Sequence, residues 1–174
     1  MPLAITLRFD RVSASAIQDM WKTLADEGID ADRYQVGYAP HITLAVYPDD
    51  VRVEPIRTAL EKVAADWEAL PVALSGFGIF PGPPHVLWAA PLVTRELLSR
   101  HNAVHAALPG LPSHAHYSPD AWVPHVTLSD GLSDPGRALS VLMTRWRPIG
   151  GTLNQLDLLR FRPVEILYSR DFTG

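Results

Sequence analysis

Residues 3 to 9, Leu-Ala-Ile-Thr-Leu-Arg-Phe, alternate apolar and mixed positions and predict a strand. The period then lengthens. Ile17, Met20, Trp21 and Leu24 recur at the i, i+3, i+4, i+7 spacing of one helical face, with Ser13 or Ser15 as the expected N-cap and Gly28 as the stop. A loop leads to a second strand over about 41–47. Pro55 opens a second amphipathic helix carrying Ile56, Leu60, Val63, Ala64 and Trp67. Strands near 71–80 and 85–90 follow, separated by Pro81-Gly82-Pro83-Pro84. The order then recurs. A helix near 94–107 opens at Thr94, a Pro/Gly/Ser-rich loop runs from Pro109 to Asp120, and a strand covers about 125–129. A further helix begins at Asp134-Pro135 with Ala138, Leu139, Leu142, Met143 and Trp146 on its stripe, and two strands, near 153–161 and 164–172, close the chain.

This is a β-α-β-α-β order read twice. Pro40-His41-Ile42-Thr43-Leu44 and Pro124-His125-Val126-Thr127-Leu128 mark the repeat, their histidines 125 − 41 = 84 positions apart. Leu3 and Leu87 keep that offset, and the helix near 55–67 corresponds to the one near 135–146. Outside the pentapeptides few identities survive. The expectation is an α+β fold built from a duplicated unit, a single domain with a pseudo-twofold repeat of approximately 1–84 and 85–174.

With 174 residues, 47% hydrophobic and 20% charged, the chain is long enough for a sizeable core. No apolar run reaches a membrane span, and the N-terminus lacks a basic segment followed by an apolar stretch, so a soluble, cytoplasmic protein without membrane contact is expected. Cysteine is absent, which removes disulfides, thiolate nucleophiles and cysteine-based metal sites. A formal charge of −4 argues against tracking a long duplex. A short anionic ligand remains compatible, and the positive charge is nearly all arginine, Lys22 and Lys62 being the lysines.

In a strand, i and i+2 share a face, so His41 and Thr43 project together while Ile42 and Leu44 turn inward; His125 and Thr127 do likewise. Packed about a pseudo-twofold, the two pairs face one cleft. Phosphodiester hydrolysis needs a base for the attacking water and an acid for the leaving oxygen, roles two histidines fill near neutral pH. Threonine hydroxyls two residues away donate to the non-bridging phosphate oxygens. No metal or other cofactor is required. Either pentapeptide alone reads equally well as a buried strand with a histidine at its edge. Average residue usage makes such a match a chance on the order of one in a million per position, so two at matching points of a repeat favour chemistry.

The paired His-x-Thr motifs, His41-Ile42-Thr43 and His125-Val126-Thr127, resemble the signature of the 2H phosphoesterase superfamily, which includes RNA 2′,3′-cyclic phosphodiesterases, the 2′-5′ RNA ligase-like proteins. The resemblance spans essentially the whole chain. It implies a bilobal fold in which two antiparallel sheets face a central cleft with helices outside. It also implies His41 and His125 as the acid/base pair, with Thr43 and Thr127 holding the phosphate. The expected partner is a nucleotide or short RNA end bearing a phosphodiester, bound by a monomer. RNA-end members often carry an arginine shortly after the second motif, where this chain has Ser129-Asp130-Gly131. An acidic side chain there does not assist a phosphate, which separates the reaction from the RNA-end substrate.

Tyr38 and Trp122, each three residues before a motif histidine, fall on the opposite strand face and are expected in the core rather than as base-stacking platforms. Tyr47 shares the parity of His41 and is the better cleft candidate. Among Arg8, Arg160, Arg162 and Arg170, Arg8 on the first strand is the candidate substrate-binding residue. His101, His105, His114 and His116 raise a competing metal-dependent hydrolase, but 101 and 105 share the stripe of Leu97, Val104 and Leu108 and read as packing residues. A non-catalytic nucleotide- or RNA-binding module is the other alternative; it would not need both proton-transfer groups. No Gly-rich phosphate loop ending in Lys-Ser/Thr is present.

Overall fold

In the computed structural model, which describes residues 1–172, the chain forms seven antiparallel strands and five helices among the described residues. The strands are β1 (Leu3–Phe9), β2 (His41–Tyr47), β3 (Leu70–Phe80), β4 (His85–Pro91), β5 (Val126–Leu132), β6 (Ile149–Arg160) and β7 (Glu165–Asp171). The helices are α1 (Arg11–Asp26), the short α2 (Asp32–Gln35), α3 (Val53–Val63), α4 (Arg95–Ala107) and α5 (Pro135–Met143). The class is α+β, as expected.

Hydrogen bonding runs β2-β1-β6-β3-β4-β5, with β7 also on β6. Exchanging β1, β2, β3 with β4, β5, β6 returns the same order. Each motif strand is therefore an edge, β2 beside β1 and β5 beside β4. The two expected sheets are the ends of one ladder, joined where Leu70–Leu74 of β3 pairs with Ile149–Leu153 of β6. Each end is built from both halves of the chain, since β6 completes the β1 side and β3 the β4 side.

The period-2 alternation decides the layers. Leu3, Ile5 and Leu7 of β1 enter the main core with Ile17, Trp21 and Leu24 of α1, Ile56 and Leu60 of α3, Leu97 and Val104 of α4, and Ala138 and Leu142 of α5. Each large apolar side chain among them contributes about 1.5–3 kcal/mol on full burial. Ala4 and Thr6, the intervening residues, line a cleft on the opposite face. The helices pair across the halves, α1 with α5 and α3 with α4. No helix among the described residues is long and apolar enough to cross a membrane.

Caps follow the sequence with one correction. Thr94 and Asp134 cap α4 and α5, with Pro135 at the first helical turn. α1 is capped by Asp10 instead of Ser13 or Ser15, its carboxylate accepting from the Val12 and Ser13 amides at 2.8 and 3.0 Å. Asp10 also accepts from the Thr152 amide at 2.6 Å, tying the helix start to β6, and a long-range tie of that kind leaves no local sequence signal.

Candidate active site

The cleft has a volume of about 930 Å³ and is lined by all four motif residues, His41, Thr43, His125 and Thr127. Both histidines are fixed identically. His41 Nδ1 lies 2.8 Å from the Ala39 carbonyl and His125 Nδ1 2.7 Å from the Val123 carbonyl. A carbonyl only accepts, so Nδ1 carries the hydrogen and Nε2 is left with its lone pair. Burial pushes His41 down to about 4; the Ala39 carbonyl opposes the shift, Arg33 and His125 reinforce it, and Asp157 opposes it. Burial also lowers His125, with the Val123 carbonyl opposing and Arg33 reinforcing. Near neutral pH both rings are neutral.

The motif strands, being edges, present outer carbonyls that need donors. The Trp122 indole donates to the Thr43 carbonyl and the Trp21 indole to the Thr127 carbonyl, each at 3.0 Å. Each threonine is thus held by a tryptophan from the other half of the chain. His105 Nε2 donates to the Leu44 carbonyl at 3.2 Å, and the His114 amide to the Val46 carbonyl at 2.8 Å. His101 is buried, lies flat on Trp122 with ring centroids 4.0 Å apart, and donates from Nε2 to the Tyr117 carbonyl. His101 and His105 are accordingly engaged with backbone and ring. No group of three or more His, Asp or Glu among the described residues converges as a metal site.

Under His41 lies a buried polar network. The Tyr38 ring sits 4.8 Å from the His41 ring, and its hydroxyl is 2.7 Å from both Thr6 Oγ1 and the buried Asp157 carboxylate. Burial, with Asp157 second, raises the Tyr38 hydroxyl well above the usual phenol range. His125 has aromatic surroundings instead, Phe80 edge-on at 5.0 Å and Trp88 at 6.1 Å. Tyr38 and Trp122 position the motifs, in agreement with a packing role, although the Tyr38 ring edges the cleft.

Two expectations are corrected. Tyr47 is 1% exposed and belongs to the main core, not to the cleft. The reason is a β-bulge: Ile5 pairs with Ala45 but Thr6 with Thr43, so Leu44 is the extra residue and the faces swap after it. Val46, not Tyr47, lines the cleft. The equivalent bulge follows the second motif, where Leu87 pairs with Ser129 and Trp88 with Thr127, omitting Leu128. It turns Asp130 into the cleft. Arg8, the other expected substrate residue, does not line this cleft; its guanidinium lies 3.3 Å from the Asp157 carboxylate, which is fully buried and requires a cation. Arg160 pairs with Glu165 and Arg170 donates to the Ala65 carbonyl.

Arginine does reach the cleft from two other places. Arg33, on α2, pairs with Asp130, and Arg162, in the β6–β7 turn, pairs through both terminal nitrogens with Asp32. All four line the cleft. Sequence reading missed Arg33 because four helical residues inside a loop show no period; its place beside Asp30 and Asp32, just ahead of the first motif, is the available signal. Val36, Val46, Leu159, Phe161 and Val164 supply an apolar wall on the His41 side.

The sequence matches the model of the 2′-5′ RNA ligase superfamily over residues 9–165. No curated protein matches it significantly. Among solved structures, TT0787 of Thermus thermophilus superposes with a TM-score of 0.70 at 16% identity, covering 100% of this chain and 99% of that one. E. coli LigT complexed with NADP+ gives a TM-score of 0.63 at 17% identity, covering 99% and 97%. LigT complexed with 3′-AMP gives 0.58 at 16%, covering 99% and 98%. At these identities the likeness is one of fold.

Proposed function

This chain belongs to the 2′-5′ RNA ligase superfamily of 2H phosphoesterases, and from that premise we propose that it hydrolyses a cyclic or 2′-5′ phosphodiester of a nucleotide or RNA end without a metal. The observation that carries the reading is the matched pair of imidazoles in one cleft, each with Nδ1 on a backbone carbonyl and Nε2 free to exchange a proton. One Nε2 takes a proton from water as its oxygen bonds to phosphorus. The other, protonated, delivers its proton to the leaving sugar oxygen as that P–O bond breaks. Thr43 and Thr127 donate to the non-bridging oxygens, where charge accumulates.

Low imidazole pKa values suit the base directly. The acid needs a proton that the ligand helps recruit: an anionic phosphate between the rings favours imidazolium and offsets desolvation. A nucleotide-sized ligand is in keeping with the volume of the cleft and with the LigT complexes containing 3′-AMP and NADP+.

The test is turnover of 2′,3′-cyclic nucleotides in the presence of a chelator. Activity is expected to persist with chelator and to fall by about 10²–10⁴-fold in both His41→Ala and His125→Ala. Turnover near the wild-type rate in the double substitution sinks the mechanism, and loss of wild-type activity on chelation points to a metal-dependent hydrolase.

A further inference from the structure

The acidic residue after the second motif has a cationic counterpart that arrives from elsewhere in the chain. Asp130 is turned into the cleft by the bulge at Leu128, and there it meets the guanidinium of Arg33, carried by α2 from the other half of the chain. That ion pair uses one terminal nitrogen of Arg33. Its Nε is buried and has no hydrogen-bond partner among the described residues; a carboxylate oxygen of Asp32 lies 3.9 Å from it, beyond hydrogen-bond reach. Asp32 is itself taken up by both terminal nitrogens of Arg162. Arg33 is thus tethered on one side, largely buried, and short of an acceptor at Nε, in a cleft shared with both histidines. An unpaired buried donor is costly, and a phosphate oxygen, like a carboxylate's, is an acceptor that a guanidinium fork matches well.

We propose that Arg33 is the guanidinium that binds the substrate phosphate in this chain, and that Asp130 is its positioning residue. This rests on the reading of the cleft as a phosphodiester site. It reverses the meaning of Asp130: the carboxylate orients the arginine that the stretch after the second motif does not itself carry. The charge of Arg33 is felt at both imidazoles, which places it within electrostatic reach of His41 and His125 alike, as a group contacting a phosphate between them must be. Because Asp32 and Asp130 offset Arg162 and Arg33, the four charged groups lining the cleft sum to zero, an arrangement that suits one negative charge, as on a phosphodiester, better than a polyphosphate.

The experiment is titration of the His41 and His125 ring resonances by NMR with inorganic phosphate, in wild type, R33Q, R33K, D130N and R33Q/D130N, with cyclic-nucleotide KM and kcat measured alongside. In wild type, phosphate is expected to raise both imidazole pKa values. R33Q should weaken phosphate binding by about ten- to hundredfold, the loss of a charge-assisted contact. R33K, which keeps the charge and loses the fork, should fall between R33Q and wild type, and it carries the test if R33Q does not fold. D130N should raise KM less than R33Q, and the double variant should be no worse than R33Q, because the pair acts as one unit. Phosphate affinity unchanged in R33Q and R33K, or losses from R33Q and D130N that add, overturns the proposal. The phosphate arm is independent of turnover. A protein that binds phosphate through Arg33 and hydrolyses no diester refutes the proposed function alone, whereas full turnover in R33Q refutes this inference alone.

Discussion

Replacing His41 with glutamine should flatten the dependence of stability on pH. The folded protein holds His41 at about 4, against an ordinary value of 6.5 that applies when the chain unfolds. Between those values the unfolded chain binds the proton and the folded protein does not. A depressed histidine therefore leaves stability intact above about pH 6.5 and removes it progressively as pH falls toward the folded value. Moving from about pH 7.5 to about pH 5 protonates nearly every unfolded His41 and almost no folded one, a linkage of roughly 2 kcal/mol. The ring is only partly buried, so water screening reduces this to about 1–2 kcal/mol. His125 is shifted in the same direction and contributes to the wild-type slope, but its share persists in His41→Gln and cancels in the comparison. The assay is urea unfolding at the two pH values. Wild type should lose more stability on acidification than His41→Gln by that margin. Equal losses in the two proteins would refute the claim that burial holds the folded His41 ring well below its ordinary value. Repeating the measurement with saturating phosphate should shrink the difference, since the anion favours the imidazolium.

Four further outcomes follow from the geometry. His41→Ala and His125→Ala should each reduce cyclic-nucleotide kcat by about 10²–10⁴-fold, and the double variant should lose little more than the worse single, because acid and base act in one step. Trp122→Phe removes the indole donor to the Thr43 carbonyl and should cost about 1 kcal/mol in thermal or urea unfolding while lowering kcat more than it raises KM. Tyr38→Phe takes a hydroxyl from the buried Asp157 carboxylate and should destabilise by about 1–3 kcal/mol, read in the same unfolding assay. Tyr47→Phe should leave cyclic-nucleotide KM unchanged, since that side chain faces the core; a raised KM would contradict the bulge assignment.

The corrections share a cause. Strand parity puts Tyr47 with His41 only if alternation continues unbroken past the motif leucine, and charge alone sets Asp130 aside, with no account of the arginine it meets. One extra residue at Leu44 and one at Leu128 swap the faces, so Val46 and Asp130 enter the cleft while Tyr47 leaves it. A bulge is set by how a strand registers with its neighbour, and neither strand carries that information alone. Arg8 departs from expectation for a related reason. Its strand is readable, but its partner Asp157 lies 149 positions away on β6 and competes for the guanidinium. The stripe of α4 identifies His101 and His105 as packing residues; that they serve the edge strand β2 and the Trp122 stack emerges only in three dimensions.

What the sequence determined by itself is periodic or duplicated. The alternation of β1, the apolar stripes of α1, α3, α4 and α5, the α+β class and the His-x-Thr pairs at an offset of 84 are all local patterns that survive without knowledge of neighbours. Tertiary structure decided everything that depends on meeting a distant partner. It exchanged β3 and β6 between the halves, hung each motif threonine on a tryptophan from the opposite half, and brought Arg33 to Asp130 across 97 positions. The physical reason is that periodicity is enforced residue by residue through burial, whereas charge pairing and edge-strand hydrogen bonds are satisfied by whichever group the packed fold delivers.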